Sequence, residues 1–236
     1  MSFQSDRLVI GHRGAAGLAP ENTLAGFAHA AALGVHGVEL DVHCVDGRLL
    51  VIHDDRLDRT TSGSGDIQSH GIGQLRALDA GGGQPIPFVE EVFEALPPEV
   101  GINVELKGPA TAEPVFAMLG DFVHQHRDVL VSSFDLDELR RFAQVARGAF
   151  DVAPLFQRWN GRIPQAAAEL GAWSVNLGVR ATTRRHVQEL RSVGLRVLVY
   201  TVNDPVDAQR LFSWGVTGIF TDFPDRMIGA VAQARE

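Results

Sequence analysis

A chain of 236 residues, 45% hydrophobic and 21% charged, is long enough to bury a large core and has the balance of an ordinary globular protein. Its net charge of −8 argues against a nucleic-acid scaffold, although a local cluster of cations can still favour a small phosphorylated substrate inside a cleft. No apolar run is long enough to span a bilayer, residues 1–6 show no signal peptide, and the single cysteine, Cys44, excludes an internal disulfide and fits a reducing, cytoplasmic compartment.

Leu8-Val9-Ile10 reads as a short strand ending in the turn Gly11-His12-Arg13-Gly14. From Asn22 the pattern turns helical. Leu24, Phe27, Ala28 and Ala31 share a face, Asn22 or Thr23 supplies the N-cap, Gly34 ends the helix, and His29 faces solvent. Val38-Glu39-Leu40-Asp41-Val42 then alternates with a period of two. That sets Glu39 and Asp41 side by side on the face opposite the apolar residues. Asp46-Gly47 is a tight turn, and Leu49-Leu50-Val51-Ile52 brings the chain back to His53-Asp54.

Residues 55–84 are rich in Thr, Ser and Gly and have no dominant period; they read as an excursion forming a rim or lid, with a short helix at 74–78. Gly81-Gly82-Gly83 follows no strand and opens no helix, so it does not read as a phosphate loop. Beyond it, helices are predicted at 88–96, 113–126, 136–146, 165–170, 183–193, 206–214 and 227–234. Strands are predicted at 101–107, 129–133, 152–156, 173–177, 195–202 and 218–221. Such alternation implies parallel strands with right-handed crossovers, and about eight strand units suit a closed (β/α)8 TIM barrel. A doubly wound open sheet is the alternative. The barrel is favoured because His12, Glu39, Asp41, Glu105, Lys107, Ser133, Gln157, Asn176, Asn203 and Asp222 cluster at C-terminal strand ends, which a barrel gathers at one mouth.

Two inward carboxylates do not both stay ionised without a compensating positive charge, which a divalent cation with oxygen ligands supplies. Glu105, in Val104-Glu105-Leu106-Lys107, repeats the pattern. Glu39, Asp41 and Glu105 make a hard-oxygen set suited to Mg²⁺ or Ca²⁺, with Mn²⁺ a further candidate; a buried ion network involving Lys107 is the competing role. His12 and His53 are the candidate proton-transfer pair, since imidazole titrates near the working pH. Arg13 and Lys107 are the candidate phosphate ligands, with an Arg13–Glu21 ion pair as the alternative. His43 reads as a hairpin residue, with a place on the rim of the site as the alternative, and His36, His70, His124, His126 and His186 read as surface or turn residues. Phe134, Phe156, Trp159, Trp173 and Phe223 read mainly as packing, with an apolar wall for a substrate tail as a second role.

These residues resemble the glycerophosphodiester phosphodiesterases. The similarity runs in order through His-Arg-Gly at 12–14, Pro-Glu-Asn-Thr at 20–23, Glu-Leu-Asp-Val at 39–42, His-Asp at 53–54 and Arg-Thr-Thr-Ser-Gly at 59–63. It continues with Leu-Asp-Ala-Gly at 78–81, Glu-Leu-Lys at 105–107, Thr-Val-Asn at 201–203 and Thr-Asp-Phe-Pro at 221–224. The resemblance implies one TIM-barrel domain over 1–236, with a small insertion after the second strand unit at about 54–100. It implies hydrolysis of glycerophosphodiesters, such as glycerophosphocholine or glycerophosphoethanolamine, to glycerol 3-phosphate and an alcohol. His12 and His53 match the family's acid/base pair, Glu39, Asp41 and Glu105 its divalent-metal ligands, and Arg13 and Lys107 its phosphate contacts. The expected partner is that small molecule, with no nucleic acid and no integral membrane segment. The insertion is shorter and more polar than the family suggests, which bears on substrate choice. A lysophospholipase D-type enzyme, or a barrel that binds phosphorylated ligands without hydrolysis, are the competing functions.

Overall fold

The computed structural model describes residues 3, 6–122 and 127–233. Among them the extended runs form β1 (Leu8–Gly11), β2 (Gly37–Val45), β3 (Arg48–Val51), β4 (Gly101–Leu106), β5 (Val129–Ser133), β6 (Asp151–Phe156), β7 (Ser174–Gly178), β8 (Arg196–Tyr200) and β9 (Gly218–Thr221). All but β3 pair in parallel, and β1 bonds both β2 and β9, so eight strands close into a (β/α)8 barrel. β3 stays outside the ring, antiparallel to β2. The intervening Asp46 and Gly47 have φ of 49° and 73°, the twist of a two-residue hairpin turn, which can only reverse the chain.

The helices are α1 (Leu24–Ala32), α2 (Ile72–Arg76), α3 (Val89–Ala95), α4 (Ala112–Phe122), α5 (Leu136–Ala146), α6 (Ile163–Leu170), α7 (Arg184–Ser192), α8 (Pro205–Ser213) and α9 (Pro224–Gln233). Both α8 and α9 start earlier than hydrophobic period alone suggests, because proline fits a first helical turn whose N–H groups lack intrahelical partners. Thr23 caps α1 by accepting from the Gly26 N–H. The buried face of α1 is Gly26, Phe27 and Ala30, while Ala28 is exposed, contrary to the expected stripe. Gly26 sets this rotation: a Cβ there would lie 2.6 Å from the Pro20 carbonyl oxygen. The predicted end of α4, with His124 and His126, lies outside the described residues.

Alternation along the strands sorts the core into two layers. Val38, Leu40 and Val42 of β2 join the apolar layer between barrel and helices. Inside the ring, Leu8, Ile10, Leu130, Ala153, Leu198 and Phe220 pack together, and Phe3 closes the N-terminal end beside Trp173, ring centroids 6.1 Å apart. Trp173 therefore sits at the end remote from the mouth and forms no wall for a substrate. Asn176 and Ser133 are likewise committed to the fold: Ser174 donates to Asn176 at 3.0 Å inside the ring, and Ser133 donates to the Leu106 carbonyl at 2.8 Å.

The excursion after β3 builds its own small apolar cluster from Leu50, Ile52, Leu57, Ile67, Leu75 and Ile86, whereas Val92 and Phe93 of α3 belong to the barrel's outer layer. Its short helix, α2, is displaced toward the N-terminus from the predicted 74–78. The glycine triplet is already occupied: the N–H groups of Gly81 and Gly83 donate to the Asp79 carboxylate at 2.7 and 2.9 Å. Two histidines read as surface or turn residues are anchored by specific partners. His36 accepts from the Val9 N–H at 3.1 Å, and His186 stacks on Trp159 with ring centroids 4.0 Å apart.

Candidate active site

The turn after β1 is built for close approach. A Cβ on Gly11 would fall 2.1 Å from the Gly14 carbonyl oxygen, and Arg13 adopts a left-handed φ of 52°. This conformation lets the Arg13 N–H donate to Glu39 at 2.8 Å. Next to it, the parallel register pairs Asp41 with Glu105 and Glu39 with Asn103, so the predicted carboxylates meet inside the ring. One oxygen from each of Glu39, Asp41 and Glu105 lies within 4.8 Å of the others.

All three acids are buried. Burial, then repulsion from Asp41 and Glu105, holds the Glu39 carboxyl well above its usual range, and burial followed by Asp41 pushes Glu105 up to about 7. The nearby cations do not balance the set. Lys107 Nζ donates to Glu105 at 2.9 Å and lies 3.8 Å from Asp41, while Arg13 Nε lies 3.3 Å from Asp41 and its Nη1 bonds Glu21 at 2.8 Å. Asn22 donates to Asp41 at 2.9 Å. Glu39 Oε1 is buried with no hydrogen-bond partner, and a divalent cation bound by hard oxygens satisfies both the orphaned atom and the excess negative charge. The acidic cluster therefore fits a divalent-cation site.

Two histidines flank it, each oriented by a carboxylate. His12 Nδ1–H donates to Asp222 at 2.7 Å, and its Nε2 lies 4.0 Å from Glu39. Asp222 also accepts from the Asn203 side chain at 2.7 Å. Burial alone pushes the Asp222 carboxyl up, but the bonds from His12 and Asn203 more than offset this and hold it below the usual carboxylate range. His53 Nδ1–H donates to Asp54 at 2.5 Å. Arg59 clasps Asp54 from Nε at 2.6 Å and from Nη2 at 3.0 Å, and donates twice to Glu21 at 2.8 Å. His43, expected to be a plain hairpin residue, is buried and donates from Nε2 to the His53 carbonyl at 3.2 Å, fixing that backbone. His12, Arg13, Glu39, His53 and Glu105 open on one cavity of about 320 Å³.

Residues 12–226 match the model of the Glycerophosphoryl diester phosphodiesterase family. The chain belongs to that family. Relatives include the glycerophosphodiester phosphodiesterase of Bacillus subtilis, 31% identical over 92% of this chain and 84% of the relative. That of Bacillus altitudinis is 34% identical over 93% and 96%. Among solved structures, an Oleispira antarctica phosphodiesterase in complex with the product sn-glycerol-3-phosphate superposes with a TM-score of 0.88, at 29% identity and covering 95% of this chain and 96% of the other. As a glycerophosphoryl diester phosphodiesterase, the protein is an enzyme of phosphodiester hydrolysis.

Within this phosphodiesterase the structure brings all seven candidate residues to one mouth. Lys107 shares ion pairs with the triad rather than standing free, and Glu21 bridges Arg13 and Arg59 rather than joining the acidic cluster. Asn22 is read from the sequence only as a candidate helix cap, Asp54 and Arg59 receive no role of their own, and Asp222 and Asn203 only a place among strand-end polar residues. Asp54 carried a usable signal in standing next to His53. Asp222 has its strand-end place, but nothing along the chain links it to His12, 210 residues away.

Proposed function

We propose that this phosphodiesterase hydrolyses glycerophosphodiesters such as glycerophosphocholine or glycerophosphoethanolamine to glycerol 3-phosphate and the free alcohol, with His12 and His53 as its proton-transfer pair. The observation that carries this is the pairing of each imidazole with a carboxylate, Asp222 or Asp54, on the cavity that also holds the acidic triad. A donor bond from Nδ1 leaves Nε2 to exchange a proton with substrate. One imidazole removes a proton from the attacking oxygen while the other delivers one to the leaving alkoxide.

Glu39, Asp41 and Glu105 would hold Mg²⁺ or Ca²⁺, with Mn²⁺ a third candidate, and the cation when bound would polarise a phosphoryl oxygen and neutralise charge. Arg13 and Lys107 bind the non-bridging oxygens. Arg13 lines the cavity with its Nη1 held by Glu21 and its Nε 3.3 Å from Asp41, which fixes the guanidinium beside the triad. Their neighbouring carboxylates outweigh burial and keep both groups charged. A binder that does not hydrolyse has no need for two oriented imidazoles.

Assaying glycerol 3-phosphate release from both substrates, with added cation and with chelator, tests the proposal. Release that stops with chelator is the expected result, and chelator-insensitive turnover overturns the metal assignment. Faster turnover of lysolipids than of either substrate would favour a lysophospholipase D.

A further inference from the structure

The two sides of the mouth differ in their charge. Around β1, β2 and β4 the cavity wall holds Glu39 and Glu105, with Arg13 in salt bridges beside them. Among the described residues, from β5 round to β9 it carries no carboxylate, and its one charged group is Arg180. Arg180 is exposed and, among the described residues, its guanidinium has no ion-pair or hydrogen-bond partner. The loop after β6 carries Arg158 and Arg162 besides, and the first turn of α7 Arg184 and Arg185, with no acidic residue between 157 and 185 other than Glu169. In a chain of net charge −8 this is a local reversal of sign.

Arg180 sits on a well-fixed turn. Thr182 donates to the Gly178 carbonyl at 3.0 Å, and His186 donates from Nδ1 to the Ala181 carbonyl at 2.8 Å. The His186 ring stacks on Trp159, with planes 4° apart, which ties the turn to the preceding loop. Beneath it, a Cβ on Gly178 would lie 3.3 Å from the Gln157 carbonyl oxygen, so the two strand ends approach closely. A long flexible side chain on such a base gives up less freedom on binding than one on a mobile loop.

We propose that Arg180 recognises a second anionic group on the substrate, so that the enzyme prefers glycerophosphodiesters whose other alcohol carries a phosphate or carboxylate over those bearing a quaternary ammonium. This rests on the reading that the scissile phosphate sits at the acidic triad. Glycerol is uncharged, so the further anion must lie on the other alcohol. A guanidinium offers a planar fork to such a group. A quaternary ammonium would meet the like charge of Arg180 and no carboxylate on that wall. Nor is the Phe134 ring a free cation platform, because the Lys107 ammonium already lies 5.8 Å from its centroid.

The test measures kcat/KM of the full chain, with saturating divalent cation, on glycerophosphoinositol phosphate, glycerophosphoinositol and glycerophosphocholine. The expected order is anionic, then neutral, then cationic, with the anionic advantage shrinking as salt rises. Arg180→Gln should cost the anionic substrate ~10-fold through KM and leave kcat on glycerophosphoinositol unchanged. Arg180→Lys should retain part of the preference, and Arg180→Glu should invert the order. An unchanged substrate ranking in Arg180→Gln, or a wild-type preference for glycerophosphocholine, overturns the inference while leaving the hydrolytic site intact. Absence of turnover on all three substrates would instead overturn the placement of the scissile phosphate.

Discussion

His12 and His53 open on the same cavity, yet different parts of the molecule hold them. The partner of His12, Asp222, follows a barrel strand and is bound by Asn203 through two bonds, the side-chain amide to its carboxylate at 2.7 Å and its own N–H to the Asn203 oxygen at 2.9 Å. His53 belongs to the excursion, where Asp54 is gripped by the half-exposed Arg59, which in turn reaches Glu21 on the first loop. One imidazole is thus fixed by strand ends locked in register, the other by an ion-pair chain that salt can screen. The proposed proton-transfer pair is thus divided between a rigid frame and a tethered rim.

The largest effect should fall on both halves alike. Glu39→Gln or Asp41→Asn is expected to reduce turnover to background and abolish cation uptake, measured by product release and calorimetry. In the wild type, cation affinity should rise with pH through about 7 with proton release, because the crowded Glu105 must lose its proton to serve as a ligand. Raised carboxyl values also mean that the cation-free fold loses stability as pH climbs from the ordinary carboxylate range toward 7, where the unfolded chain has already released that proton. A flat affinity from acid to alkaline pH would contradict this account of the triad.

Removing either imidazole comes next. His12→Ala and His53→Ala should each lower kcat by ~10²–10⁴-fold with the fold retained by circular dichroism. A variant keeping near-wild-type rate would strip that histidine of its role. The supporting acids should separate the two halves more finely. Asp222→Asn and Asp54→Asn are each expected to lose less than their imidazole, up to ~10²-fold in kcat. Only the Asp54 variant should also loosen the rim, read as faster proteolysis of the excursion.

The smallest expected effect isolates the tether. Arg59→Gln should reduce activity a few-fold at low salt, with wild type approaching the variant as salt screens the ion pairs over ~10 Å or less. Asp54 and Glu21 both have lowered carboxyl values: for Asp54 the Arg59 bond leads, and for Glu21 the bonds from Arg59 and Arg13 outweigh burial. Their stabilisation is therefore present above the usual carboxylate range and is lost as pH falls through the lowered values. Thermal melts of Arg59→Gln should show weaker loss on acidification than wild type. Equal acid sensitivity would remove the tether from the account.

Much of this site is legible in the sequence. The alternation of Val38 to Val42 placed Glu39 and Asp41 on one face, and the hairpin at Asp46-Gly47 returned His53 toward them. What failed was what depends on distant packing. Trp173 looked like a strand-end aromatic but sits beside Phe3 at the far end, because it precedes its strand rather than following it. His186 reads from the sequence as a surface or turn residue, and its stacking partner Trp159 comes from a different loop altogether.

By itself the sequence determined the periods of strand and helix, the two-residue turn that turns β3 back, and the side-by-side acids of β2, since each depends on geometry within a few residues. The tertiary structure alone decided that β9 closes on β1, that Asp222 meets His12, that Arg59 ties the excursion to Glu21, and that Arg180 faces the cavity. Those pairings are set by ring closure and register, which bring together residues that no spacing along the chain relates.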